Sequence, residues 1–529
     1  MKRLLVCVPG LTGSTTNWNP LLDRLRAEEA FKDVEILRFD HGCRLLSTKF
    51  ASRLSDELTA MVNGECERQK RTGVPYDDIC FIAHSLGALL TRRAYLLALL
   101  GDDRSGQAPL PWANRVSRIV LFAGINRGLF PSDKDAQKAP HQFLRWLLRR
   151  AVELYGELPS HLLAEDLLAG SDFVTNIRLS WIRTLRNLDS PPVIVQVLGT
   201  RDSIVTQNDG VDLDLTGDRI TLAGANHSTV LDVEEHDKFH AQRYALILQA
   251  MFDTFAPRAK KEKTSEAIVF VVHGIRAGNT SWVRRAAELV TKSLPGATVV
   301  PATYGYFSAL HFFLPFVRKK RTLWFKETYC YYLSREPSAT FHVIGHSYGT
   351  YLLGYSLKRL PDMRFCRIVL AGSVLPKEFD WTSRLGKQVQ EVWNHRSQRD
   401  VPVAILCSVL RGLGMKDIGT GGYYGFEAIP EIHEFCYYPG GHGAPLENQY
   451  LPRLVAELAG QQNVPCDQLP TELEWFSRLS RTASFFPYLM LLGVGVGLFA
   501  HFWFGLPTES SVLLALLLLC VIGMVVAFI

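Results

Sequence analysis

The same strand, serine and helix pattern occurs twice in this chain of 529 residues. Residues 83–87 (AHSLG) follow the apolar run 79–82, residues 345–349 (GHSYG) follow the apolar run 341–344, and a helical pattern follows each. A serine at such a corner is held on a strained turn, so its hydroxyl projects while the next backbone N–H faces an incoming carbonyl oxygen. The pattern therefore predicts a serine nucleophile in each half of the chain.

Short apolar runs alternate with helical patterns along both halves. In the first half the predicted strands are 4–8, 34–39, 79–83, 118–123, 193–198 and 219–222. In the second half they are 268–272, 297–301, 341–344, 367–371, 388–393 and 433–437. Such alternation is typical of a mostly parallel sheet with helices on both faces. The predicted fold class is α/β, with two doubly wound domains.

The predicted domains are residues 1–255 and 267–460, joined by the polar, lysine-rich linker 256–266. Within the first domain, apolar helical patterns interrupt the rhythm of strands at about 126–190. This segment is interpreted either as a helical lid over the site or as a structural embellishment.

The C-terminus, residues 485–529, differs in composition from the rest of the chain. Residues 485–504 and 512–529 are almost free of charge, and as helices they would span roughly 30 and 27 Å, close to the thickness of a bilayer core. Arg478 and Arg481 precede the first run and no basic residue follows it, which predicts an integral membrane protein with its catalytic domains on the cytoplasmic side. Gly493 and Gly497 would allow the two helices to approach closely, or to pair with another copy. The alternative is a buried core hairpin.

Composition and charge argue against several classes of protein. The net charge of +6 is small for this length and no nucleic-acid recognition module accompanies the basic clusters, so nucleic acid is not an expected partner. The ten cysteines include no C-x-x-C pair and no Cys/His spacing suited to zinc. We therefore expect neither a metal nor an organic cofactor.

The first strand is followed by a glycine-bearing loop, 9–14 (PGLTGS), where the N–H of Leu11 would join that of Leu86 in binding an oxyanion. With this loop and its serine corner, the first half resembles the α/β-hydrolase superfamily. Residues 170–174 (GSDFV) resemble a serine-bearing segment of lipase-like serine esterases. The resemblance implies an acid after a later strand and a histidine after the last one. Asp202 and His227 stand at those places.

Serine needs an imidazole to accept its proton, and the imidazole needs a carboxylate to fix its tautomer. Ser85, His227 and Asp202 are assigned these roles. Three nearby carboxylates are kept as substitutes for the acid: Asp209, Asp212 and Asp214.

The second half repeats the superfamily pattern around Ser347. Residues 271–276 (VVHGIR) supply the loop, with the N–H groups of Ile275 and Tyr348 as oxyanion donors, and His442 follows the last strand. Two acids compete for the third role. Asp417 precedes His442 by the interval that separates Asp202 from His227, whereas Asp400 follows a strand, as the acid of this superfamily does, and is favoured.

Residues 306–333 are rich in aromatic side chains and contain a basic run that begins at Arg318. Aromatic residues beside cations suit a membrane interface with anionic headgroups. The alternative is an aromatic core helix with a solvated end.

Together these features predict a membrane-anchored serine hydrolase that cleaves carboxylic esters, above all lipid or acyl esters, through an acyl-enzyme. Two alternatives remain open. One is a thioesterase acting on acylated proteins or acyl carriers, because the same triad chemistry serves thioesters. The other is a membrane scaffold in which one or both hydrolase folds bind a ligand without turnover, because fold alone does not decide function.

Overall fold

The computed structural model describes most of the chain, and every structural statement refers to the described residues. These are residues 2–11, 15–44, 46–102, 106–129, 161–205, 217–234, 239–253, 265–275, 281–302, 312–313, 318–319, 321–426, 432–461, 472–504 and 507–509. The chain divides into two compact units, Met1–Glu262 with Lys326–Pro337, and Lys263–Phe325 with Ser338–Ile529. Residues 130–160 of the predicted lid, most of the linker 256–266 and the predicted second span 512–529 lie outside the described residues.

The first unit is built on a six-stranded sheet. Its strands are β1 (Arg3–Val8), β2 (Val34–Arg38), β3 (Asp78–His84), β4 (Val116–Phe122), β5 (Val193–Gly199) and β6 (Gly217–Leu222). They lie in the order β2-β1-β3-β4-β5-β6, and every neighbouring pair is parallel. The predicted parallel α/β sheet is therefore confirmed for this unit.

Helices cover both faces of this sheet. They are α1 (Asn19–Leu25), α2 (Ala51–Lys70), α3 (Leu86–Leu100), α4 (Leu163–Asp166), α5 (Asp172–Arg186) and α6 (His240–Phe252). Alternate residues of β1 enter different cores, because successive side chains of a strand point to opposite faces. Leu4 and Val6 pack with α2, α3 and α5, whereas Leu5 and Cys7 pack with α1 and α6.

The second unit repeats this topology. Its strands are β7 (Ala267–Val272), β8 (Ala297–Pro301), β9 (Thr340–His346), β10 (Phe365–Ala371), β11 (Val389–Ser397) and β12 (Ile432–Tyr438). They are all parallel, in the order β8-β7-β9-β10-β11-β12, which is the order of the first sheet with each number raised by six. Two parallel α/β sheets of one topology fit the predicted α/β fold class.

The helices of the second half include a π-helix directly after the candidate acid Asp400. They are α7 (Ser281–Ser293), α8 (Thr322–Arg335), α9 (Tyr348–Arg359), the π-helix Pro402–Leu406, α10 (Cys407–Gly412), α11 (Gly421–Tyr424), α12 (Leu451–Leu458), α13 (Glu474–Ala483) and α14 (Phe486–Phe504). Short 3₁₀ turns occur at Thr15–Trp18, Glu29–Phe31, Pro111–Arg115, Thr229–Leu231 and Ala444–Leu446.

The boundary between the units differs from the predicted one at residues 326–337, which belong to the first unit. The Glu327 carboxylate accepts a hydrogen bond from Arg127 at 2.6 Å and forms an ion pair with the fully buried Arg178. The Lys326 ammonium pairs with Asp172. A buried cation requires an opposite charge close by, and residues far along the chain supply it here.

Helix α14 is long and apolar enough to cross a membrane, judged by length and composition. Its 18-residue stretch Phe486–Trp503 has a mean hydropathy of 1.5, and only 6% of that stretch is buried. The preceding helix α13 packs against the π-helix, where Ser480 Oγ donates to the Ala404 carbonyl at 2.6 Å. One candidate span is therefore the part of the predicted hairpin that the described residues contain.

Candidate active site

Both predicted nucleophiles sit at strained corners between a strand and a helix. Ser85 has φ 50° and ψ −116°, and Ser347 has φ 53° and ψ −120°, values that are rare for residues other than glycine. The Ser85 N–H donates to the Phe122 carbonyl and the Ser347 N–H to the Ala371 carbonyl, both at 3.0 Å. The neighbouring strand thus holds each serine in its unfavourable conformation, as a projecting nucleophile requires.

The two glycines of the pentapeptide have unequal importance. A methyl group on Gly87 would lie 2.4 Å from the Val8 carbonyl oxygen, and one on Gly349 would lie 2.5 Å from that of Val272. A methyl group on Gly345 would come no closer than 3.4 Å to any neighbour, at Thr350, which is an ordinary contact. The alanine at position 83, the equivalent of Gly345, is therefore compatible with this corner.

Ser85, His227 and Asp202 form a connected chain of hydrogen bonds. His227 Nε2 lies 2.9 Å from Ser85 Oγ, and His227 Nδ1 lies 3.0 Å from Asp202 Oδ2. The Asp202 side chain is fully buried and His227 retains 17% exposure. This is the arrangement in which an imidazole can take a proton from a serine and share its charge with a carboxylate.

The environment of Asp202 favours its ionised form. Burial opposes ionisation, but the bond from His227 and those from the Val205 and Ile204 amides outweigh it and lower the pKa of the carboxyl. The two amides donate to Oδ1 at 2.9 and 2.8 Å, which leaves Oδ2 for the imidazole. The alternative acids Asp209, Asp212 and Asp214 lie outside the described residues.

The histidine that precedes each serine lies close to the backbone of the predicted catalytic histidine. His84 Nε2 lies 2.8 Å from the His227 carbonyl, and His346 Nε2 lies 3.4 Å from the His442 carbonyl. Because a carbonyl can only accept, His84 carries its proton on Nε2. Burial lowers the pKa of His84 to about 4, so His84 stays neutral at physiological pH.

In the second unit, His442 contacts its acid but not its serine. His442 Nδ1 lies 2.8 and 2.9 Å from the two oxygens of the fully buried Asp400. His442 Nε2 has no hydrogen-bond partner within the described ranges. A methyl group on Gly274 would lie 3.1 Å from Ser347 Oγ, which places this hydroxyl beside the loop after β7.

Asp417, the competing acid, is engaged elsewhere. Its carboxylate accepts from the buried Arg318 guanidinium at 2.7 Å and from the Tyr351 hydroxyl at 2.9 Å. Burial opposes ionisation of Asp417, but the bond and charge of Arg318 outweigh it and lower the pKa. Arg318 is fully buried, so the interpretation of this residue as part of a solvated or membrane-facing basic run is wrong.

The four predicted oxyanion donors belong to residues next to the two serines or next to glycines that contact them. Leu86 and Tyr348 are the first residues of α3 and α9, where backbone N–H groups have no acceptor within the helix. Leu11 and Ile275 follow Gly10 and Gly274, and a methyl group on these glycines would approach the Cβ atoms of Ser85 and Ser347 to 3.0 and 2.6 Å.

No set of three or more His, Cys, Asp or Glu side chains suited to a metal ion occurs in the described part of the chain. A cavity of about 190 Å³ lies at the amino ends of the first sheet's strands and is lined by Arg3, Val34 and Asp78 among others. Both serines lie at the carboxyl ends of their strands, where open α/β sheets bind ligands.

Sequence reasoning missed the loop after β4. Ala123 has φ 43° although it is not a glycine, and its N–H donates to the Val197 carbonyl at 2.8 Å. Gly372, with φ 54°, makes the equivalent bond to His395 in the second unit at 3.2 Å. Asn126 of the same loop is fully buried, and the N–H of the adjacent Ile125 approaches the Ser85 carbonyl at 3.4 Å. The sequence offered one signal for Asn126: it follows the end of predicted strand 118–123, and β4 lies next to β3, which ends directly before Ser85.

Comparison with known proteins adds a family match for the first half. Residues 5–242 match the profile of an alpha/beta hydrolase family. No curated protein matches the sequence.

Several solved structures are similar in part. Phospholipase PlaB from Legionella pneumophila is 16% identical with a TM-score of 0.27, over 38% of this chain and 40% of its own. A hydrolase from Pseudomonas aeruginosa is 17% identical with a TM-score of 0.28, over 47% of this chain and 90% of its own. A thermophilic esterase from Thermogutta terrifontis is 15% identical with a TM-score of 0.30, over 47% and 82%. This chain thus spans less than half the length of the phospholipase, and at these scores the likeness carries no conclusion about activity. The family match over residues 5–242 and the parallel α/β sheets support the α/β-hydrolase superfamily for this chain.

Proposed function

We propose that this protein is a serine hydrolase that cleaves carboxylic esters, with Ser85 as its nucleophile. The observation that carries the proposal is the continuous chain of contacts from Ser85 Oγ through His227 to Asp202, at 2.9 and 3.0 Å. The family match over residues 5–242 supports hydrolase chemistry for the same part of the chain.

The reaction follows from these positions. His227 Nε2 takes the Ser85 proton as Oγ attacks the ester carbonyl, and the N–H groups of Leu11 and Leu86 receive the developing oxyanion. His227 then gives its proton to the leaving alkoxide, which leaves an acyl group on Ser85. Water, deprotonated by His227, releases the acid and restores the serine. Asp202 holds His227 in the required tautomer and stabilises its charged form.

A lipid or long acyl ester is the substrate class we propose, and helix α14 is the reason. Its large apolar side chains, among them Leu491, Phe502 and Trp503, are 69%, 81% and 75% exposed. An exposed apolar helix of this length suits insertion into a bilayer, so we propose that the enzyme is anchored where such esters are concentrated.

The test is covalent labelling with a fluorophosphonate, which reacts with an activated serine. Wild type, Ser85→Ala, Ser347→Ala and the double variant are compared. We expect Ser85→Ala to remove most of the label and Ser347→Ala to retain it. An unlabelled wild-type protein would rule out the hydrolase proposal. Parallel assays with a butyrate ester and its thioester separate esterase from thioesterase activity.

A binding role is the second candidate for the second unit. His442 Nε2 lacks a partner within the described ranges, and Ser347 Oγ lies beside Gly274. A serine without contact to its base is a weak nucleophile. We propose that this site binds acyl ligands and turns them over slowly or not at all. Residual label in Ser85→Ala, and its loss in the double variant, measures that activity.

A further inference from the structure

Asn126 lies in the loop that follows β4, and the backbone of this loop contacts that of Ser85. The N–H of the adjacent Ile125 approaches the Ser85 carbonyl at 3.4 Å. A methyl group on Gly124 would lie 2.8 Å from Ala88 Cβ and 3.3 Å from Asn126 Nδ2. The amide of Asn126 is therefore packed near the first turn of α3, the helix that begins directly after Ser85.

This amide is buried, and it has no hydrogen-bond partner in the part of the chain that the structure describes. Asn126 is 0% exposed, and neither Oδ1 nor Nδ2 has a hydrogen-bond partner within the described ranges. Its backbone carbonyl, by contrast, accepts from Arg92 Nη1 at 3.1 Å. Burying a polar group without a partner is costly, and a specific unpaired amide in a loop that contacts the nucleophile calls for an explanation.

We infer that Asn126 is a specificity-determining residue that binds hydroxyl groups on the alcohol part of the ester substrate. This inference rests on the proposed hydrolase function of Ser85. An amide offers one acceptor, Oδ1, and one donor group, Nδ2. A lone carbonyl or ether oxygen of a substrate would satisfy only Nδ2. Adjacent hydroxyl groups, as in a glycerol ester, can donate to Oδ1 and accept from Nδ2.

The test compares two esters that share one acyl group, glyceryl monobutyrate and propyl butyrate. A site built to bind a hydroxyl discriminates against the analogue that lacks it, because its own polar atoms then stay unpaired. We expect wild type to prefer the glyceryl ester by at least about tenfold in kcat/KM. We expect Asn126→Leu, of similar size without polar atoms, to abolish this preference, and its melting temperature to equal or exceed that of wild type.

Thr59→Val is the matched control. Thr59 is a buried residue of α2 whose hydroxyl does have a partner, the Ser55 carbonyl at 2.8 Å. We expect this variant to melt at a lower temperature and to keep the preference between the two esters. If the Asn126 amide served only folding, Asn126→Leu would likewise melt at a lower temperature and keep the preference between the two esters.

The inference is overturned if wild type does not discriminate between the esters, or if Asn126→Leu melts lower and keeps the wild-type ratio. Fluorophosphonate labelling of the same samples separates this result from failure of the proposed function. A wild type that is labelled at Ser85 but does not discriminate refutes the role of Asn126 alone. A wild type without label refutes both proposals.

Discussion

His227 Nε2 lies 2.9 Å from Ser85 Oγ, whereas the equivalent His442 Nε2 has no partner in the described part of the second unit. The two loops otherwise correspond, since each imidazole contacts a fully buried carboxylate through Nδ1. The two units differ at the turn that follows the strand beside the serine, β4 in the first unit and β10 in the second. A methyl group on Gly372 would lie 2.8 Å from two atoms of the His442 ring, and the first unit has Ala123 at that place. The two sheets share one topology, but the contact between serine and histidine differs between them.

Asp202→Asn should lower kcat by about 10³ to 10⁴-fold, because an amide favours the wrong tautomer of His227. The protein should stay folded, since the side chain keeps its size. Ester hydrolysis and circular dichroism measure the two effects. Asp56→Asn, an exposed position paired with Arg93 at 3.2 Å, should leave activity intact. Equal activity of both variants would contradict the role of Asp202.

Gly87→Ala should abolish labelling of Ser85. The new methyl group would lie 2.4 Å from the Val8 carbonyl, so α3 must move away from β1 and take the serine corner with it. Gly64→Ala in α2 is the control, because no atom lies within 4 Å of the new methyl group. A helical alanine there should raise stability by ~0.5–1 kcal/mol. Normal labelling of Gly87→Ala would show that the corner tolerates the shift.

Asp417→Asn should lower stability, whereas Asp400→Asn should mainly affect the second site. Asp417 neutralises the buried Arg318, and removing one partner of a buried ion pair is costly. Since Asp417 is 31% exposed, we expect a loss of ~2 kcal/mol rather than the full penalty. Denaturant unfolding measures it. An Asp417→Asn protein with unchanged stability would argue that this carboxylate is free for another role.

The stability of the protein should depend on pH through His84. Its pKa is about 4 in the folded protein, against the ordinary histidine value of 6.5 in the unfolded chain, so the unfolded chain binds more protons between these values. The contribution of neutral His84 to the free energy of unfolding is fully present above about pH 6.5. It is lost as the pH falls toward about 4. His227 and Asp202 are the titratable groups that face His84.

The variant His84→Gln isolates this effect, because its amide can still donate to the His227 carbonyl but does not titrate. Wild type should lose up to ~2 kcal/mol more than the variant between pH 6.5 and 4. Thermal unfolding across that range provides the measurement. Parallel curves for the two proteins would exclude His84 as the titrating group.

Truncation after Phe485 should release the protein from membranes. It removes α14 but keeps Ser484, which packs against α10. A methyl group on Gly412 of α10 would lie only 2.0 Å from the Ser484 carbonyl oxygen. The full chain should remain with the membrane fraction after an alkaline carbonate wash, and the truncated chain should not. Recovery of the full chain in the soluble fraction would contradict the proposed anchor.

The strands and their parallel arrangement could be predicted because most of them are apolar runs. The central ones, such as β7 (Ala267–Val272), are buried on both faces. From the sequence, the choice between Asp400 and Asp417 could be argued only by comparing their loops with those of the first half. The partner of Asp417 is Arg318, which is 99 residues away in the chain. The same limit applies to Asn126 and to the boundary at residue 326, since burial and pairing across long separations leave no local pattern.

The pairing of Glu327 with Arg127 and Arg178 has a consequence for the order of folding during synthesis. A ribosome makes the chain from its N-terminus, so Ser85, Asp202 and His227 emerge well before Glu327 does. The nascent first unit then lacks the carboxylate that pairs with Arg127 and with the buried Arg178, and it becomes complete only when residues 326–337 have been translated. A hydrolase of this design would acquire its finished form late in synthesis, when the chain is close to its second serine.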